Sequence, residues 1–316
     1  MFNIVNTLDL SSCPEALQLL ESVGKVETVP ARREEVLTLI DRADAYLSSL
    51  SVKVDAEMIR SAKRLKVIGS PATGTDHLDL AAIEKAGITC FNISKEHDLL
   101  RGFTATSELA FGLILALNRH LIKATDAASH GVWAREKFSG FQLFGKTLGV
   151  LGMGRLGKIS ARIANGFGMR VLAYDPVQSV TENVEWTDFD SLFRQSDILT
   201  IHVHLTKETH GLVDARALSL MKPTALLINT SRGGVVDESD LLEALQTGRI
   251  LGAGLDVITG EWSVELADHA LLRYSRDNSN LIITPHIGGA TKESIYGARV
   301  FMAKKVTKFL REFHLE

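Results

Sequence analysis

Thr147-Leu148-Gly149-Val150-Leu151-Gly152-Met153-Gly154-Arg155-Leu156-Gly157-Lys158 decides the fold, and Arg170-Val171-Leu172-Ala173-Tyr174-Asp175-Pro176 completes it. A short apolar run reads as a buried strand. Three glycines at GxGxxG spacing then open a helical segment reaching Phe167, and a second strand ends on an aspartate. Gly152 can take the positive φ of a tight strand-to-helix turn, Gly154 leaves room for a pyrophosphate against the backbone, and Gly157 lets helix and strand pack closely. The N-terminus of that helix offers unpaired amides and partial positive charge to phosphates. Asp175 follows at the distance, about 20 residues, where a carboxylate reaches ribose hydroxyls and repels a 2′-phosphate, so the unit predicts NAD rather than NADP.

The chain around this stretch has 316 residues, room for two ordinary domains. A net charge of -3 provides no global basic field for nucleic acid or an anionic membrane. Two cysteines, Cys13 and Cys90, make neither a disulfide framework nor a thiolate metal site and suit a reducing compartment. The N-terminus lacks a signal peptide's basic and apolar regions, and the apolar run Leu109–Leu117 falls short of the ~20 residues of a membrane span. A cytoplasmic protein is expected.

Upstream, strands are predicted at Phe2–Asn6, Ala45–Ser49, Lys66–Ser70 and Thr89–Ile93, with helices at Pro14–Val23, Arg33–Ile40 and Leu80–Ala86. Such alternation implies a small parallel-sheet α/β domain. One long helix is expected over Thr104–Ala128, with Leu109, Leu113, Leu117 and Leu121 as its core stripe. The arm Gly131–Phe138 is a candidate subunit contact. Downstream the rhythm continues, with strands at Asp197–His204, Ala225–Thr230, Gly252–Val257 and Leu281–Thr284, helices at Asp214–Met221 and Glu238–Leu245, and a closing helix over Thr291–Phe313. That last helix has no strand partner of its own and could return to the first domain.

Three polar groups fall at strand ends. Arg232, in Asn229-Thr230-Ser231-Arg232-Gly233-Gly234, would emerge at the cofactor edge, where a guanidinium can grip a carboxylate in bidentate fashion. Glu261 and His286 follow the next two strands. A histidine beside a carboxylate has its tautomer fixed and can protonate an oxyanion near pH 7. His202, His204 and His210 read as ordinary polar loop histidines, and no metal site is expected.

Residues from Leu65 to about Ser294 resemble the D-isomer-specific 2-hydroxyacid dehydrogenases, with 3-phosphoglycerate dehydrogenase-like members nearest. The resemblance is carried by Thr73-Gly74-Thr75-Asp76-His77-Leu78-Asp79, Gly145-Lys146-Thr147-Leu148-Gly149, the GMGRLG turn, Asn229 to Asp237, Gly254-Leu255-Asp256-Val257 and Pro285-His286-Ile287-Gly288. It implies a Rossmann-type doubly wound parallel sheet over 100–289 and a smaller, discontinuous flavodoxin-like α/β substrate domain over 1–99 plus 290–316. It implies NAD as cofactor and hydride transfer at C2 of a small 2-hydroxy or 2-oxo acid. Arg232 would clamp the substrate, His286 would be the acid/base and Glu261 its partner, while Ala72, Thr73 and Gly74 would meet the substrate carboxylate.

The same resemblance assigns Arg155 and Leu156 to the pyrophosphate and Asp175 to the ribose. Thr73, His202, Val203, Thr230, Ser231, Arg232, Asp256, His286, Gly288 and Gly289 would complete the cofactor contacts. Family members usually form dimers through the region Glu108 to Phe144. The chain departs from the pattern at Trp262 and His204, each where proline is usual, and in longer loops at Lys95–Thr104 and Ser263–Ser279. Alternatives are a glyoxylate or hydroxypyruvate reductase, or a non-catalytic NAD(H)-sensing protein of corepressor type.

Overall fold

Buried apolar runs joined by crossovers pair in parallel, and every strand pairing among the described residues is parallel. The computed structural model describes residues 1–263 and 266–313. Its contacts divide the chain into two compact units, Met1–Phe103 with Thr291–Glu316, and Thr104–Ala290.

The first unit holds β1 (Phe2–Asn6), α1 (Pro14–Glu21), β2 (Gly24–Thr28), α2 (Arg33–Leu37), β3 (Ala45–Leu47), α3 (Ala56–Ser61), β4 (Val67–Gly69), α4 (Leu80–Lys85), β5 (Thr89–Phe91) and α5 (His97–Leu100). Sheet order β2-β1-β3-β4-β5 is flavodoxin-like. Asp55 and Asp79 start α3 and α4 by accepting from Met58 N at 2.9 Å and Ala82 N at 3.0 Å, a cap worth about 1 kcal/mol each.

The second unit runs α6 (Ala105–Asn118), α7 (Leu121–Ser129), β6 (Thr147–Leu151), α8 (Arg155–Gly166), β7 (Arg170–Tyr174), β8 (Glu185–Trp186), α9 (Phe189–Gln195), β9 (Ile198–Ile201), α10 (Ala215–Leu220), β10 (Leu226–Asn229), α11 (Glu238–Gln246), β11 (Gly252–Leu255), α12 (Ala270–Asp277) and β12 (Leu281–Ile283). Its sheet has the order β12-β11-β10-β9-β6-β7-β8, which reverses between β6 and β9 in the doubly wound Rossmann manner. Leu148 and Val150 face Phe111, Ile114, Ala161 and Ala164, while Leu151 faces the other side with Leu192, Phe193 and Leu241. Both faces are therefore apolar, which explains why β6, β9, β10 and β11 read as continuous buried runs.

The final helix, α13 (Lys292–Phe313), packs in the first unit, burying Met302, Val306 and Leu310 with Leu20 and Ala16 of α1. Tyr296 donates to Glu15 at 2.6 Å, and Lys304 pairs with the same carboxylate at 2.9 Å.

A carboxylate, buried in the first unit and half-buried in the second, ties the amino ends of the central strands in each unit. Asp44 accepts from Asn3 N at 2.9 Å and pairs with Lys66 at 3.1 Å; Asp197 accepts from Thr147 N at 2.9 Å and pairs with Lys222 at 2.8 Å. Burial works to raise both carboxyls, but the amide and the ammonium beside each outweigh it and hold them below the ordinary aspartate value.

Several expectations need correction. The long helix over Thr104–Ala128 is two: buried Asn118 turns its side chain to the backbone of Phe141, accepting from its N at 3.0 Å and donating to its O at 2.6 Å, and His120 takes φ 51°. Leu121, expected in the core, is exposed on α7. The loop expected at Ser263–Ser279, of which 264–265 lie outside the described residues, contains α12. By length and composition His97–Asn118 would suffice to cross a membrane, which the shorter run Leu109–Leu117 did not predict. In the structure it is interrupted between α5 and α6, and Ala110, Phe111, Leu113, Ile114 and Leu117 are core residues.

Candidate active site

Parallel strands place all their carboxyl ends on one edge, and the crevice at the β6/β9 reversal is where open α/β sheets bind ligands. Gly152 follows β6, Asp175 follows β7, His202 and Val203 follow β9, and Thr230, Ser231 and Arg232 follow β10. Asp256 follows β11, and His286, Gly288 and Gly289 follow β12. The second unit thus gathers these positions on one edge.

At the glycine turn, Gly152 has φ 95°, and a Cβ there would come within 2.7 Å of Val203 and 2.8 Å of the His202 carbonyl. Both the backbone angle and the close approach demand glycine. Gly157 lies so close to the Gly152 carbonyl that any Cβ would overlap it. Gly154 is the N-cap of α8 and provides no capping side chain, so it leaves room for an anion at the N-terminal, partially positive end of that helix. No described atom lies within 4 Å of where a Gly154 Cβ would be, which leaves open space beside that end.

Asp175 is oriented by two amides, accepting from Met153 N at 2.8 Å and Val177 N at 2.9 Å, one on each oxygen. Each oxygen keeps a further lone pair for hydroxyl donors. Behind the turn, His202 Nε2 lies 2.9 Å from Ser160 Oγ and 3.1 Å from Thr200 Oγ1. Burial of the ring pushes its pKa down to about 4, so the imidazole is neutral at pH 7. Thr230 Oγ1 is buried with no hydrogen-bond partner among the described residues, an acceptor and donor left for a polar ligand group. Open space at the glycine turn, a helix N-terminus, a fixed acid and an orphaned hydroxyl fit a dinucleotide along this edge.

The Arg232 turn is built by buried Asn229, whose Oδ1 accepts from Ser231 N at 3.0 Å and whose Nδ2 donates to Arg232 O at 2.9 Å. Gly233 packs directly on the backbone of Ile258 and Thr259, where a Cβ would be 2.3 Å from Ile258 C. That approach fits the Arg232 turn against the start of the Glu261 loop. Glu261 Oε1 and His286 Nδ1 are 2.7 Å apart with both side chains largely buried. The pairing at Nδ1 leaves Nε2 as the nitrogen available to a substrate.

His286 has φ 54°, a left-handed conformation that a histidine adopts only at some cost. Asp256, 1% exposed, enforces it by accepting from Thr284 Oγ1 at 2.6 Å, Ile287 N at 2.8 Å and Gly288 N at 2.7 Å. The Asp256 carboxylate thus shapes the loop that bears His286.

In the first unit, Ala72, Thr73 and Gly74 lie in the turn after β4, at the carboxyl edge of that unit's sheet. Ser70 Oγ and His77 Nε2, 3.1 Å apart, bridge the ends of this turn.

Two supporting residues are not legible in the sequence. Glu238 Oε1 accepts from Thr259 N at 2.6 Å, and its Oε2 lies 3.1 Å from His269 Nε2. One carboxylate therefore ties both flanks of the segment carrying Glu261 and Trp262. Nothing in the chain links Glu238 to His269, 31 residues on, since Glu238 reads simply as an acid in a helix's first turn. Among the described residues no group of three or more His, Cys, Asp or Glu is placed to hold a metal ion.

Comparison with known proteins adds to this geometry. The family described as D-isomer specific 2-hydroxyacid dehydrogenase, NAD binding domain, matches residues 111–288. D-3-phosphoglycerate dehydrogenase of Methanocaldococcus jannaschii is 37% identical over 303 residues, covering 94% of this chain and 56% of that protein, so the chain spans about half its length. Hydroxypyruvate reductase of Thermotoga maritima is 34% identical over 301 residues, covering 94% of this chain and 95% of that protein. The crystal structure of D-lactate dehydrogenase from Aquifex aeolicus, complexed with NAD and lactic acid, is similar with a TM-score of 0.86 at 29% identity, over 98% of this chain and 96% of that one.

Proposed function

Because the chain belongs to the D-isomer specific 2-hydroxyacid dehydrogenases, we propose that it is an NAD-dependent, phosphoglycerate dehydrogenase-like enzyme interconverting a small D-2-hydroxy acid and its 2-oxo acid. The observation that carries this reading is the Glu261–His286 pair, 2.7 Å apart on the sheet edge that also holds Arg232 and the glycine turn.

Bound NADH would supply the hydride that C2 of the 2-oxo acid accepts. The amides at Arg155 and Leu156 would hold its pyrophosphate, Asp175 its ribose, and Thr230 Oγ1 its carboxamide end. Arg232 would grip the substrate carboxylate and polarise the 2-oxo oxygen, and His286 Nε2 would deliver the proton to that oxygen as charge develops. Glu261 would stabilise the imidazolium before delivery and keep Nδ1 protonated after it. Ala72, Thr73 and Gly74 of the first unit are proposed as substrate contacts on the resemblance alone. Asp175 supports NADH over NADPH through repulsion of a 2′-phosphate. Free thiols at Cys13 and Cys90 suit the cytoplasm, the compartment we propose.

The test is NADH and NADPH oxidation across glyoxylate, hydroxypyruvate, pyruvate and 3-phosphohydroxypyruvate, with Arg232→Ala and His286→Ala beside the wild type. Each variant is expected to bind NADH nearly as the wild type does while turnover falls roughly 10²-fold or more. Full turnover in either variant contradicts the assignment. Tight NADH binding by the wild type with no turnover on any acid would favour the sensing protein instead.

A further inference from the structure

Trp262 directly follows Glu261, and its indole lies offset over the His286 imidazole, with ring centroids 5.8 Å apart and planes at 28°. The side chain is 53% exposed, so core burial does not explain its placement. The segment that presents it is tied at both flanks by the Glu238 carboxylate, through Thr259 N and His269 Nε2. The proline expected from the family pattern has only a saturated pyrrolidine ring, with no aromatic face to offer an imidazolium.

We propose that Trp262 is a positioning residue for proton transfer, an inference that rests on the acid/base reading of His286. Glu261 fixes the imidazole in its own plane through Nδ1, but one hydrogen bond leaves the ring free to swing about it. An indole against one face removes that freedom and aims Nε2 at a single place. The electron-rich indole face also attracts the ring in its protonated form, the form that donates during reduction. Charged neighbours are already committed: Glu261 is bonded to Nδ1, and Asp256 to the Ile287 and Gly288 amides and the Thr284 hydroxyl.

The experiment compares wild type, Trp262→Phe, Trp262→Leu and His286→Asn with NADH and the best 2-oxo acid, in H2O and D2O. Trp262→Leu keeps apolar bulk without the ring. It is expected to lose turnover roughly tenfold or more, with a larger solvent isotope effect because proton delivery becomes slower, while NADH affinity and melting temperature stay unchanged. Trp262→Phe should recover most of the loss. A readout without cofactor comes from fluorescence, since a protonated imidazole quenches a stacked indole. Emission should fall on acidification in the wild type and lose that step in both Trp262→Phe and His286→Asn, although Trp133 and Trp186 remain.

If His286→Asn is inactive but Trp262→Leu matches the wild type in turnover and isotope effect, the positioning role is overturned and the acid/base reading stands. If His286→Asn keeps full turnover, the reading itself fails and the role of Trp262 falls with it.

Discussion

His202 lies within hydrogen-bond reach of Ser160 and Thr200, and burial lowers its pKa from 6.5 to about 4. The unfolded chain takes up this proton near pH 6.5, whereas the folded chain resists until about 4. Stability from the neutral ring is therefore complete above 6.5 and is lost as pH falls toward 4. A gap of about 2.5 units corresponds to on the order of 3 kcal/mol, an upper figure because the residue's outer surface is only half-buried. Urea denaturation of wild type and His202→Gln at pH 7.5 and 4.5 checks this. The wild type should lose more stability than the variant between the two pH values, and equal losses would contradict the enclosed ring. At this scale the residue types of the edge were legible, because GxGxxG spacing, an acid after the second strand and an arginine after a later strand each have a chemical reason. What was not legible is how they are held. The left-handed backbone of His286 depends on Asp256, and the loop bearing Glu261 depends on Glu238, contacts made across 21 to 32 residues with no local pattern.

Among the elements, the central strands were readable because both their faces are covered and the residues are apolar throughout. β2 was not, since as an edge strand it carries Lys25, Glu27 and Thr28 around a single apolar side chain, Val26, and resembles a loop. α9 and α12 are short and amphipathic, and their signal is a cap or a few apolar residues. The break between α6 and α7 came from Asn118, whose amide takes the Phe141 backbone, a contact that helical periodicity cannot reveal. α7 buries none of its residues; Leu121 and Ile122 are exposed there, as are Val132, Trp133 at 87% and Phe144 at 78%. Apolar side chains in such number on one segment mark an interaction surface, and we propose that a second copy of the chain covers it. Light scattering should give twice the 34.5 kDa chain mass, and Ile122→Glu with Trp133→Glu should reduce it to a single chain. A wild-type mass of one chain, or a double variant that stays paired, would contradict the dimer.

Across the whole molecule, the two sheets carry one logic in two strand orders. In each, buried parallel strands are tied at their amino ends by an aspartate, Asp44 or Asp197, and open at their carboxyl ends into turns that carry polar groups. The tying carboxylates and the polar turns thus lie on opposite edges of each sheet. In the proposed reaction, hydride passes directly between the dinucleotide and C2 of a 2-oxo acid at the His286 edge. NADH carrying deuterium at both C4 positions of the nicotinamide is incubated with each 2-oxo acid in turn, and the product is analysed by NMR and chiral separation. Deuterium is expected at C2 of the D-2-hydroxy acid, one label per NADH consumed, with transfer in His286→Ala slowed roughly 10²-fold or more. Tight NADH binding with no label in any acid, phosphorylated or not, would contradict it.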